Sequence, residues 1–235
     1  VPSASMPAAA VAGQKTKASV RVEVGNTTGV AFSGPVTIRL VASTDGTIDA
    51  GDAEVLSVVK TLKIKPSTTK AVKLKVKSFP ATLADGNYQL IAEVTPPTGS
   101  ASAAATGSAT AVAAPFVNLV GVTAAGPSAL TAGKKGKLGV TVQNTGNVTL
   151  AGTASVQIEA ALGGNLAAKT PVATVPVKLK LKPGQVKRLS LKFLVPAELV
   201  AGPYNLVATL DSANVIAESL ETDNVVNSAT ATDVV

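Results

Sequence analysis

The chain repeats itself, and the repeat limits the fold more than any other feature. Laid against itself at an offset of about 120 residues, it shows four blocks recurring in the same order. Ala12-Gly13-Gln14-Lys15-Thr16-Lys17, followed by Val20 and Val22, returns as Ala132-Gly133-Lys134-Lys135-Gly136-Lys137, followed by Val140 and Val142. Leu62-Lys63-Ile64-Lys65-Pro66 returns as Leu179-Lys180-Leu181-Lys182-Pro183, and Lys70 as Lys187. Pro80, Gly86, Tyr88, Leu90 and Ala92 return as Pro196, Gly202, Tyr204, Leu206 and Ala208. Ser108-Ala109-Thr110-Ala111 returns as Ser228-Ala229-Thr230-Ala231. The offset drifts by a few residues and recovers, which places insertions in loops and leaves the strands intact. The 235 residues suffice for two cores, since one sandwich needs about 100 residues. The expected boundary is at Val112-Ala113-Ala114-Pro115, giving domains 1–113 and 114–235. A linker that short implies little freedom between them.

Within each copy the apolar period is two, the spacing of a half-buried strand. Val72-Lys73-Leu74-Lys75-Val76-Lys77 sets aliphatics on one face and lysines on the other, and its partner Val186 to Phe193 alternates apolar with polar residues from Arg188 on. Pro183-Gly184, Asn144-Thr145-Gly146-Asn147, Asp85-Gly86-Asn87 and Gly202-Pro203 separate such runs with turn chemistry. In the second copy the strands are expected at 117–122, 137–143, 153–161, 172–181, 186–194, 204–210 and 224–232. Aromatics make up only 3% of the chain and Trp is absent, so the cores must be built from Val, Leu, Ile and Ala, a mixture that favours strands. The expected fold is all-β: two tandem immunoglobulin-like antiparallel β-sandwich domains.

The chain has neither Cys nor His. That excludes disulfides, thiolate chemistry, imidazole acid–base catalysis and the common zinc-ligand sets. No apolar run approaches the roughly 18 residues of a membrane span, and no basic segment precedes an apolar stretch at the start. A first residue of Val1 suggests a processed or excised chain.

Each copy resembles the bacterial cell-adhesion-related domain CARDB, an immunoglobulin-like extracellular module often found in tandem. The resemblance is carried by the aliphatic opening Phe116 to Val122 with the Ala132-Gly133 turn, and by the strand Val140 to Gly146 with its Asn-x-Gly ending. The Gly-x-Tyr-x-Leu strand matches in both copies. The Ser43-Thr44-Asp45 loop, running through Asp49 and Asp52, resembles the family in the first copy only. The acidic hairpin from Asp211 through Glu218, Glu221 and Asp223 to Asn224 does so in the second only. Nothing in Val1 to Ala10 matches the opening strand of the second copy, which points to a truncated first strand or one supplied by a neighbour.

Four constellations bear on chemistry. Asp45, Asp49 and Asp52 resemble the second half of a calcium loop, since hard cations need several oxygens at short spacing. The first half is missing, with Val41 and Ser43 at the leading positions and strands instead of helices around it. A polar inter-strand loop is the plain reading and calcium the alternative; no other cofactor is expected. Asp211, Glu218, Glu221 and Asp223 offer paired carboxylates of the glycosidase kind, but no aromatic cleft accompanies them, and no enzymatic activity is expected. The lysines of 60–77 and 178–192, with a net charge of +7, suit an anionic cell-surface polymer or simply block edge-to-edge pairing. Scarce arginine and the lack of interleaved aromatics argue against nucleic acid. Tyr88 and Tyr204 fit core-edge tyrosines bonded to backbone.

Three functional readings follow. The first is a non-catalytic extracellular structural or adhesive protein of the cell surface, partnered by other proteins or copies of itself. The second is a subunit of an extracellular filament joined through terminal strands or sheet edges. The third is a module binding glycans or polyanions. None involves membrane insertion.

Overall fold

A computed structural model describes residues 3–235. Period-two patterning becomes strand throughout. In the first unit these are β1 (Ser3–Ser5), β2 (Ala9–Val11), β3 (Ala18–Asn26), β4 (Phe32–Ser43), β5 (Ala53–Ile64), β6 (Thr68–Val76), β7 (Gly86–Thr95) and β8 (Ser102–Ala113). One sheet runs β1-β3-β6 and the other β2-β8-β7-β4-β5. All pairings are antiparallel except β2 with β8. The Val72, Leu74 and Val76 side chains turn inward while Lys70, Lys73 and Lys75 stay exposed. Each inward aliphatic contributes about 1.5–3 kcal/mol by burial, so a one-residue slip of β6 would reverse the entire face.

The second unit repeats this plan. Its strands are β9 (Leu119–Ala125), β10 (Ala129–Leu130), β11 (Lys135–Asn144), β12 (Leu150–Leu162), β13 (Lys169–Leu181), β14 (Val186–Leu194), β15 (Gly202–Thr209), β16 (Val225–Asn227) and β17 (Thr232–Val234). The sheets run β14-β11-β9 and β10-β17-β15-β12-β13, with β16 also on β15. The chain therefore consists of two immunoglobulin-like sandwiches, units Val1–Pro115 and Phe116–Val235, each with its own aliphatic core. Even the irregularities recur: β4 shifts register at Leu40/Val41 and β12 at Ile158/Glu159. Tyr88 Oη donates to the Ala84 carbonyl at 3.2 Å, and Tyr204 Oη to the Val200 carbonyl at 2.9 Å.

The structure changes three details of the sequence reading. The last expected strand, 224–232, is two strands parted at Ser228, whose amide and Oγ bond to the Leu206 carbonyl and amide instead. The repeat needs a different register in its first block. Lys70 lies opposite Val24, and its counterpart Lys187 lies opposite Val142. Val142 is thus matched by Val24 and Val140 by Val22, and the extra residues of the first copy fall in the turn between Gly13 and Ala18. Finally, the start of the chain belongs to its own unit. Ser3–Ser5 pairs with Ser19–Arg21 of β3, and Ala9–Val11 with Ala111–Ala113 of β8. Val1 and Pro2, the remainder of the segment expected to differ, lie outside the described residues.

Candidate functional site

The two units differ most at one place, the free edge of the strand that β3 and β11 represent. In the second unit this edge is covered. β9 runs antiparallel to β11 from Leu119 opposite Asn144 to Ala125 opposite Gly139. Leu119 is fully buried in the core with Val142, Leu150, Leu181, Leu210 and Val226. Gly121 is required there, because a Cβ at this position would meet Val226 Cβ at 2.9 Å.

The acidic residues hold β9 in place. Between β15 and β16 the chain makes an irregular excursion, Leu210 to Asn224, rather than a tight hairpin. Glu218 Oε2 accepts the Leu119 amide. Asn118 Nδ2 donates to Asp223 Oδ2 at 2.8 Å, and Asn118 Oδ1 accepts from Ser219 Oγ and the Leu220 amide. Asp211, wholly buried, accepts the Ile216 amide through Oδ2 at 2.7 Å. Asn144 completes the arrangement: its Nδ2 donates to the Val148 and Leu181 carbonyls, and its Oδ1 accepts the Gly146 amide. These four carboxylates fix structure: Glu218 and Asp223 bond Leu119 and Asn118 at the start of β9, and Asp211 and Glu221 bond backbone within the excursion itself.

That arrangement has an electrostatic cost. The excursion contains no basic residue, and Asp211 Oδ1, Asp223 Oδ1 and Asn224 Oδ1 are buried without a donor. Burial raises the Glu218 carboxyl to about 7, helped by its neighbours Glu221 and Asp211 and opposed by the Leu119 amide and Asn224. A carboxyl whose folded value lies above its ordinary 4.5 binds a proton more tightly when folded. Its contribution to stability is complete below that ordinary value and is lost as pH rises toward 7. The second unit should therefore melt lower at pH 7.5 than at pH 5, apart from other groups, and Glu218→Gln should flatten this difference. Parallel melting curves for the variant and the parent at both pH values would overturn the assignment.

In the first unit the described residues leave most of the same edge uncovered. Among the described residues β1 covers only Ser19–Arg21, so Val22–Asn26 has β6 on one side and no strand on the other. The excursion has shrunk to Pro96–Ala101. Val24, Phe32 and Val94 are only partly buried and Ala104 is exposed. Their counterparts by pairing register, Val142, Leu150, Leu210 and Val226, are 9% exposed or less. A cleft of about 250 Å³ results, lined by β3 residues Glu23 to Asn26 with Phe32, Ile64, Val94 and Ser102 among others. Asn26 keeps the bonds to the Val30 and Ile64 carbonyls and from the Thr28 amide that match those of Asn144 with Val148, Leu181 and Gly146, but nothing stands in place of the Asn118 amide among the described residues.

The calcium candidates sit elsewhere in the first unit and serve local turns. Asp45 Oδ1 accepts from Ser43 Oγ, the Thr47 amide and Thr47 Oγ1, bonds that hold its carboxyl below the ordinary range. Asp49 Oδ1 accepts the Gly51 amide and Asp52 Oδ2 the Asp49 amide. Among the described residues no group of three or more His, Cys, Asp or Glu side chains is placed to hold a metal ion. The lysines of β5, β6, β13 and β14 lie exposed on strands at sheet edges, except Lys169 of β13, which is half-buried and paired with Glu159 at 2.6 Å. No helix of the described residues is long and apolar enough to cross a membrane.

Comparison with known proteins places this architecture. No curated protein matches the chain. Among solved structures, the CARDB domain of the PF1109 protein of Pyrococcus furiosus, crystallised in complex with di-metal ions, is 24% identical, with 51% of this chain and 94% of that one covered and a TM-score of 0.34. Its solution NMR structure gives 24% identity, 52% and 97% coverage and a TM-score of 0.36. Red sea bream transglutaminase gives 13% identity and a TM-score of 0.34, covering all of this chain and 31% of that one. The CARDB family model matches residues 117–228, a span that starts just before β9 and takes in the acidic excursion with β16. The second sandwich of this chain is a CARDB domain.

Proposed function

We propose that the chain is a non-catalytic structural or adhesive protein of the cell surface, built from two CARDB-type modules. CARDB domains are associated with cell-adhesion-related roles in bacteria and with cell-surface proteins. The observation that carries the reading is the use of the polar residues. The acids best suited to chemistry, Asp211, Glu218 and Asp223, are bound to backbone and to Asn118, and the Asp45 loop satisfies itself. The first sandwich, with the same strand order, is proposed as a second, edge-open member of the family. The filament reading is less favoured because the terminal strands β1, β2 and β17 are all paired within their own units. Partners are proteins; an anionic surface polymer meeting the exposed lysines is the minor alternative.

Labelling of intact cells with antibody against the chain tests the location, and beads coated with the purified chain test adhesion. Surface label with bead capture is the expected result; label confined to the cytoplasm would refute it. The function is proposed to need no cofactor. Millimolar calcium should leave the melting temperature of both units unchanged, and a rise of several degrees lost in Asp45→Asn would restore the calcium reading.

A further inference from the structure

We propose that the outer face of the sheet β14-β11-β9 in the second unit binds a linear anionic polymer that carries sulfate or phosphate ester groups. Lys137, Arg188 and Lys192 hold its oxyanions, with Lys135 at the end of the row. This partner rests on the cell-surface reading, and it assigns the polymer, there the minor alternative, to one face of one unit.

Strand alternation turns Lys135, Lys137, Gly139 and Thr141 of β11 outward, opposite Leu194, Lys192, Ser190 and Arg188 of β14. Lys137 therefore sits directly across from Lys192, and like charges so placed cost stability. Arg188 adds to the crowding. Its Nη2 lies 3.1 Å from where a Cβ on Gly139 would stand, so the guanidinium leans from its place opposite Thr141 toward the two lysines. A glycine at 139 makes room for it. The strands β9, β11 and β14 contain no Asp or Glu. Among the described residues none of these four cations forms an ion pair. Asp233, the acid beside Ala129, belongs to the other sheet.

Protection of an edge does not account for this arrangement. Cations on β14 block strand addition, but β11 is the inner strand of its sheet, and its lysines only add repulsion there. A furrow runs beside them. Two adjoining hollows of about 470 and 480 Å³, walled by Ala125 to Pro127 and by Pro127 to Leu130, are both lined by Lys137. The wall is the stretch where the chain leaves this sheet for the other, since β9 ends opposite Gly139 and β10 pairs with β17. The row from Lys135 to Thr141 extends for about 20 Å at strand spacing. That is too long for one oxyanion and suits several groups carried on one chain. Lysine and arginine both donate to such groups. No aromatic side chain faces outward on these strands, Phe193 being buried, so a polymer with bases would find nothing to stack on.

The test uses the full chain, ¹⁵N-labelled, with dextran sulfate as the probe and uncharged dextran as the blank. The expected result is saturable binding, with shifts centred on Lys137, Gly139, Arg188, Ser190 and Lys192. Affinity should fall about tenfold or more between roughly 50 and 200 mM salt, as displaced counterions are released. Lys137→Gln combined with Arg188→Gln, both exposed or on the outward face and checked for fold by circular dichroism, should weaken binding at least about tenfold. Lys178→Gln with Lys180→Gln removes as much charge from β13 and should change binding by less than about twofold, since exposed charges act over short range in salt. Absence of binding at the lower salt would overturn the proposal, as would shifts centred elsewhere or equal losses in the two double variants. Inorganic sulfate that competes fully at equal sulfate concentration would show a site for a single oxyanion. Tighter binding of anionic phospholipid vesicles or of single-stranded DNA would show a different partner. Either result would overturn the assignment to a polymer of this kind. None of these outcomes depends on where the protein resides, so failure of the cell-surface reading and failure of this site are distinguishable.

Discussion

Replacing Leu119 with Ala should destabilise the second unit by about 2–5 kcal/mol, the range for a large buried aliphatic cut back to a methyl. Leu119 is fully buried and belongs to the same core as Leu150, Leu181 and Leu210. The loss should lie at the upper end for a reason beyond the cavity. The Leu119 amide is held by Glu218 and the preceding Asn118 by Asp223, so loosening β9 frees the acidic excursion as well. Urea titration followed by residue-resolved NMR can report each unit separately, because each carries one of the chain's two tyrosines. The transition reported by Tyr204 should move to lower urea while that reported by Tyr88 stays in place. A shift worth less than about 1 kcal/mol would show that the strand contributes little and that an open edge is the ordinary state of both units.

Asn144→Ala is the second large effect. Asn144 is completely buried and joins four backbone groups: the Val148 and Leu181 carbonyls and the Gly146 and Asn118 amides. Truncation leaves those groups unsatisfied, at about 1–3 kcal/mol for each that water cannot reach. A loss of roughly 3 kcal/mol or more is expected on that scale. Asn26→Ala should cost less, since Thr28 and Val30, which it bonds, are exposed, its bond to the buried Ile64 carbonyl is long at 3.4 Å, and it has no counterpart of the Asn118 amide. Combining Leu119→Ala with Asn144→Ala should give less than the sum of the two, because both release the same strand. Equal losses at Asn26 and Asn144 would argue against the distinction between an open and a closed edge.

Much of the fold is legible in the sequence because strand period, turn residues and duplication agree. Val72 to Lys77 can bury only one face, and Pro183-Gly184 can only turn. The register of the first block is harder to see. Val20-x-Val22-x-Val24 reads the same after a shift of two residues, and only the pairing of Lys70 with Val24 and Lys187 with Val142 settles it. The acids of the second unit were visible as a cluster, but not their task, because their partners Asn118 and Leu119 lie about a hundred residues away in sequence. The same distance hides the open cleft. That Val1 to Ala10 hold no aliphatic run like that of 116–122 is plain from the residues, yet that Phe32 and Val94 are only partly covered follows only from the topology. The short Ser3–Ser5 and Ala9–Val11 strands gave no periodic signal, since their pairing is set by the edges they meet and not by their own composition.

The one parallel strand pair in each sandwich has a mechanical consequence. β2 lies beside β8, and β10 beside β17, so the second and last strands of each unit run side by side in the same direction. Tension applied through the ends of a unit pulls such a pair in opposite senses along its length. The bonds around it, among them Ala12 to Ala113 and Ala132 to Val235, both at 2.9 Å, are then loaded together in shear instead of being unzipped one by one. A pull that reaches these few short strands is therefore shared among several bonds at once.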